Sequence, residues 1–93
     1  MAKTLIMGQR VATCGIIDAI SENPQFGIDV LRAMQKYACL DWGDTCEEDA
    51  RLNDEALENG DRIMAVYNTC KGKIWIITES DRSSTTVLFP SEY

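Results

Sequence analysis

The chain has 93 residues and 10.4 kDa, with nine basic against fifteen acidic side chains and a net charge of −6. A chain of this length builds one domain with one modest core. Its acidity excludes a general role in coating nucleic acid or anionic membranes, since both use basic surfaces.

Residues 4–13 alternate weakly, with β-branched side chains at Thr4, Ile6, Val11 and Thr13. Gly8 interrupts them, which leaves a short strand near 9–12. Thr13 precedes a helix over 14–22, where its hydroxyl accepts an orphan N–H and Ile16, Ile17 and Ile20 share a face. Asn23-Pro24 signals a second start, because asparagine caps and proline suits the first helical position. The helix it opens, 24–38, repeats Gly27, Val30, Leu31, Met34 and Ala38 at helical spacing, flanked by Tyr37. This stripe reads as core rather than as a cofactor site.

Asp41-Trp42-Gly43-Asp44 reads as a turn. Thr45 with Glu48 has capping-box spacing, and Asp44 with Glu47 offers a second register. The third helix, 46–59, stops at Asn59-Gly60 and has a thin apolar stripe of Cys46, Ala50, Ala56 and Leu57, with Asn53 among them. Three strands follow, over 62–69, 73–79 and 84–89, joined by a hairpin turn at Cys70-Lys71-Gly72 and a polar loop. Short connections make them an antiparallel meander. Helices first and sheet afterwards give an α+β domain, with 9–12 as a short fourth strand.

Composition narrows the chemistry. No histidine is present, which removes the commonest general base and most zinc and iron sites. Cys14, Cys39, Cys46 and Cys70 lie 25, 7 and 24 residues apart, so no knuckle for a metal forms. No metal or cofactor is expected. The apolar run Leu5-Ile6-Met7 is too short for a secretory segment, and no stretch approaches a membrane span. The reading is a cytoplasmic protein whose reduced cysteines mostly act as small buried hydrophobes. Cys14, in the first turn of a helix, is the one candidate nucleophile, and it lacks a histidine base.

The strongest anomaly is charge placement. Between Asp41 and Asp61 stand nine of the fifteen acids, opposed only by Arg51, for a local net of −8. A helix dipole and a solvated face account for such a run. The functional alternative is an acidic docking surface for a basic partner protein, formed by Asp44, Glu47, Glu48, Asp49 and Glu55. Trp42 would stand at its rim, although a core role suits that tryptophan better. A second candidate is the loop from Glu79, in which Asp81, Arg82, Thr85 and Thr86 would converge on a small anion. The structural alternative is that these groups satisfy their own turn.

Several pieces, taken together, resemble a known family. They are Gly8-Gln9, Val11-Ala12-Thr13 and Gly15; Asp41-Trp42-Gly43-Asp44 with Glu48-Asp49 and Asn53; and Trp75-Ile76-Ile77-Thr78-Glu79, Asp81-Arg82-Ser83, Thr85-Thr86, Pro90 and Glu92-Tyr93. The family comprises small bacterial proteins carried on plasmids, prophages and conjugative elements, some labelled as type I restriction modification subunits. That label implies DNA methylation, which needs a nucleotide-binding βαβ unit and a pocket for a flipped base. This chain has no glycine-rich turn and no Asn/Asp-Pro-Pro-aromatic tetrad, so methyltransferase activity is rejected. The family commonly has proline where this chain has Cys14, which suits a helix start and not a nucleophile.

The resulting expectation is a non-enzymatic, acidic protein-binding module of a mobile element, acting on a host defence or DNA-processing complex. It makes no direct contact with nucleic acid or membrane. Self-association through an open sheet edge is a further option, since three strands leave two edges.

Overall fold

The computed structural model describes residues 5–93; Thr4, the first β-branched residue of the alternating stretch, lies outside the described residues. The elements are β1 (Gln9–Ala12), α1 (Cys14–Glu22), α2 (Pro24–Ala38), α3 (Glu47–Asn59), β2 (Ile63–Thr69), β3 (Gly72–Thr78) and β4 (Ser84–Leu88), closed by a 3₁₀ turn at Pro90–Glu92. This is the expected α+β order. The sheet order is β1-β4-β3-β2. β2, β3 and β4 form the antiparallel meander, whereas β1 lies parallel to β4. The expected meander and fourth strand are both present, and the parallel sense of β1 makes the sheet as a whole mixed. Three helices separate β1 from the meander, and a long crossover of that kind lets a strand re-enter a sheet in the parallel sense.

Ile63, Ala65, Tyr67, Ile74, Ile76 and Val87 form one cluster with Ile16 and Ala19 of α1 and Phe26, Val30, Ala33 and Tyr37 of α2. Burial of each large apolar side chain in such a cluster is worth about 1.5–3 kcal/mol. The other sheet face carries Met64, Val66, Trp75, Ile77, Thr86 and Leu88. The helix faces differ from expectation. In α1 the buried pair is Ile16 and Ala19, with Ile17 and Ile20 exposed. In α2 Phe26 and Ala33 replace Leu31 and Ala38 on the buried face. The two rings of Phe26 and Tyr37 carry the largest apolar area on that helix, and they set its rotation.

Local capping follows the sequence closely. Asn23 ends α1 by donating its backbone N–H to Ala19, and its side-chain oxygen accepts from the N–H groups of Gln25 and Phe26 to open α2. Gly60 ends α3 in the left-handed region at φ 75°, where only glycine is unstrained. All four cysteines are exposed, which overturns the expectation that most are buried. They occupy boundaries: the first position of α1, the C-cap of α2, the N-cap of α3 and the β2–β3 turn. Element ends lie at the surface, so small side chains there are not drawn inward.

A chain of hydroxyls crosses the core. Tyr37 Oη lies 2.6 Å from Thr78 Oγ1, which lies 2.8 Å from Thr85 Oγ1, which donates at 2.7 Å to the Met7 carbonyl. Each hydroxyl has one proton. Because Thr85 gives its proton to Met7, Thr78 donates to Thr85 and Tyr37 donates to Thr78. The line joins α2, β3, β4 and the segment before β1. Burial pushes the Tyr37 phenol up to about 12, against the smaller opposing effect of its Thr78 hydrogen bond, so it stays a neutral donor.

A second tie holds the chain end to α1. The Glu92 carboxylate accepts from Thr13 Oγ1 (2.7 Å), Phe89 N (3.0 Å) and Gly15 N (3.2 Å). Only glycine at 15 permits this approach, since a Cβ there would stand 2.5 Å from the carboxylate. The Thr13 hydroxyl, then the backbone N–H groups, hold the Glu92 carboxyl below its ordinary value of 4.5. The helix N-terminus favours the anion in the same direction. Cys14 therefore sits at an N-terminus already filled by a carboxylate.

Two outcomes follow for stability. Thr85→Val strands the Met7 carbonyl and the Thr78 proton inside the core. It should cost about 2–3 kcal/mol, against about 1 kcal/mol for Tyr37→Phe, which leaves only an acceptor unused. Urea midpoints at unchanged slope check the ranking, and equal losses would refute the assigned proton direction. Glu92→Gln should lower the melting temperature at pH 7. Because the folded carboxyl lies below its ordinary 4.5, the wild-type advantage is full above that value. It should shrink as pH falls below 4.5 and through the lowered folded value, as paired melts over the acid range would show.

Candidate functional site

The acidic segment from Asp41 to Asp61 is first of all a seal on the sheet. Gly43 bridges Val66, and Asp44 N donates to the Val66 carbonyl at 2.8 Å. Val66 N donates to Thr45 Oγ1 (2.8 Å), and Asn68 N donates to the Asp44 carboxylate (2.8 Å). One turn further, Asn53 accepts from Met64 N (3.3 Å) and donates to Met64 O (2.9 Å), pairing with the strand as another backbone would. Every second residue of an edge strand turns its N–H and C=O outward, and here both groups of Met64 and Val66 and the N–H of Asn68 are met from one segment.

This use of side chains overturns the expected capping boxes. The Thr45 hydroxyl donates to Trp42 O and accepts from β2, so it caps nothing. α3 begins at Glu47 behind Cys46, without a side-chain cap, and Asp44 serves β2 instead. The acids Glu47, Glu48 and Asp49 in its first turn interact favourably with its dipole.

Trp42 is 6% exposed and belongs to the core, with its ring edge-on to Tyr37 at 5.6 Å. Its indole N–H donates to Asp54 at 2.9 Å. It is therefore no rim anchor, because nearly all of its surface is already spent inside. The candidate docking set thus divides. Trp42 and Asp44 are structural, while Glu47, Glu48, Asp49 and Glu55 remain exposed on α3. Asn53 and Ala56 are the side chains that α3 buries.

The loop after β3 does not assemble an anion site. Arg82 donates to Ala56 O (3.0 Å) in the last turn of α3, to Asp61 O (2.6 Å) just beyond it and to Glu79 O (3.2 Å) of its own loop. Asp81 accepts from Ser83 N, and the Ser83 hydrogen bonds hold its carboxyl below the usual range. Thr85 is fully buried, and Thr86 lies on the opposite sheet face. Adjacent strand residues point to opposite faces, so Thr85 and Thr86 cannot converge on one ligand.

One feature escaped sequence reading. Asp49, Leu52, Asn53, Arg62, Met64, Trp75 and Tyr93 line an open cavity of about 350 Å³ between α3 and the sheet face opposite α1 and α2. Tyr93 folds back edge-on to Trp75 at 5.3 Å, with the Arg62 guanidinium 5.2 Å from its ring centre and donating to its hydroxyl at 2.7 Å. Leu52 beside them is 53% exposed. The cleft shares Asp49 with the acidic face of α3. Its residues lie far apart in sequence, and only the hairpin and the returning C-terminus bring them together.

Among the described residues no group of three His, Cys, Asp or Glu side chains is placed to hold a metal, and no helix is long and apolar enough to cross a membrane.

Asn53→Ala should both lower the melting temperature and leave Met64 N and O without partners. Amide exchange of Met64 should accelerate more than that of Ile76 in the central strand. Aggregation on heating should rise as the edge opens. Unchanged exchange at Met64 would show that the seal does not depend on this carboxamide.

No family model, no curated protein and no solved structure matches the chain.

Proposed function

We propose that the protein is a non-enzymatic binding module that docks on a basic protein surface through the outward face of α3. The observation that supports this reading is the exposure of Glu47, Glu48, Asp49 and Glu55 on a helix that buries only Asn53 and Ala56. These acids are not required by the sheet seal, which Asn53, Thr45 and Asp44 provide. Beside them the cleft of Leu52, Trp75 and Tyr93 offers apolar and aromatic area for a contact that the charges alone would leave weak. Aromatic faces also attract the cationic side chains that a basic partner carries.

Carboxylates on such a surface compete with phosphate for Lys and Arg of the partner. The resemblance to proteins of mobile elements makes a host defence or DNA-processing complex the natural source of that partner. Chain acidity, at −6 overall, favours steering toward a positive surface and disfavours nucleic acid itself.

The test is affinity capture from bacterial lysate at low salt, followed by titration of the purified partner. The variant Glu47→Lys, Glu48→Lys, Glu55→Lys should bind at least about tenfold more weakly, chiefly through a slower on-rate. Wild-type affinity should fall as salt is raised. Affinity within about twofold of wild type for the variant, or indifference to salt, would overturn the reading.

A further inference from the structure

The two edges of the sheet are treated differently. Along β2 the outward groups of Met64 and Val66 and the Asn68 N–H are met by the 41–53 segment. Along β1 the outward groups are not. Gln9 N donates to Ser83 O and Thr13 N donates to Val87 O, so the odd-numbered residues turn toward β4. By strand alternation the N–H and C=O of Arg10 and Ala12 face outward. No described residue bonds to them. Gln9, Arg10 and Val11 are exposed.

We infer that β1 pairs with β1 of a second copy of this chain, antiparallel about a two-fold axis at Val11, to give one continuous eight-stranded sheet. The register is self-complementary. Arg10 exchanges both hydrogen bonds with Ala12 of the second copy, and Ala12 with its Arg10, for four bonds in all. The two Arg10 side chains are diagonal rather than directly opposed, since each faces a small Ala12 whose short side chain leaves room for the arginine stem to turn away. Val11, 42% exposed, faces its own counterpart as a β-branched pair at the non-hydrogen-bonded position.

Charge placement favours this edge over any other contact between copies. The −8 segment lies along β2, three strand spacings or about 14 Å from β1. Pairing through β1 places the two acidic helices at opposite ends of the joined sheet and puts Arg10 near the axis. Apolar area is also present at the edge. Leu31 is 59% exposed and lines a cavity of about 180 Å³ with Met7, Arg10, Met34, Gln35 and Ala38. Association stops at two copies, because the sealed β2 edge offers no second template. The inference does not depend on the acidic docking surface, which lies on the other edge.

The experiment is sedimentation equilibrium of the full chain, with amide exchange at Arg10 and Ala12. Arg10→Pro removes an outward N–H while leaving the β4 bonds of residues 9, 11 and 13 in place, as edge strands tolerate. Val11→Lys sets two cations face to face. Wild type should be a dimer whose Arg10 and Ala12 amides are protected. Each variant should weaken dimerisation at least about tenfold, with the circular dichroism spectrum unchanged. A wild-type mass of one chain at about 1 mM overturns the inference. A dimer that both variants leave intact overturns it as well, as does one whose Arg10 and Ala12 amides exchange freely. Higher-order assemblies would also refute it, because they need a second open edge.

Discussion

Two hydrogen bonds between the Asn53 carboxamide and the Met64 backbone anchor α3 against the outer strand of the sheet. The constraint behind them is that strand-edge N–H and C=O groups near a core need partners. Meeting that need with side chains from residues 41–53 determines where the acidic helix lies and draws Thr45 and Asp44 out of capping roles. It also brings Trp42 into the core beside Tyr37. Arg82 completes the arrangement from the other end by holding the Ala56 carbonyl in the last turn of α3 and the Asp61 carbonyl just beyond it.

The same solution divides the molecule. One edge is acidic and backed by a helix; the other is short, carries a positive side chain at Arg10 and, among the described residues, is uncovered. The chain has no histidine, the side chain whose unperturbed charge change falls nearest neutrality. The exterior offers two surfaces with different physics. On the proposed reading, contact across α3 is long-ranged and salt-sensitive. Across β1 it is short-ranged, directional and set by backbone register.

Inside, polarity is used sparingly. The Tyr37–Thr78–Thr85–Met7 line places three hydroxyls among apolar side chains, and among the described residues no buried side-chain donor or acceptor is left without a partner. A satisfied line of this kind fixes the registry of α2, β3 and β4 together, because a shift of any one element would leave a buried group unpaired. Glu92 does the same for the chain end, tying the 3₁₀ turn to the start of α1.

Features whose partners lie within a few residues were legible in the chain alone. The Asn23-Pro24 junction, the Gly60 stop, the Cys70-Lys71 turn, the element order and the acidic run are of this kind. Tertiary structure decided the rest. Asn53 reads as a polar break in a thin apolar stripe until Met64, eleven residues on, presents its backbone. Thr45 reads as a cap until Val66 arrives, and Thr85 as a loop hydroxyl until Met7 approaches from 78 residues away. The parallel placement of β1 and the exposed position of every cysteine were likewise invisible. Local propensity is written in short-range sterics and hydrogen bonds. The choice among several competent partners for one side chain is made only when packing brings distant backbone within about 3 Å.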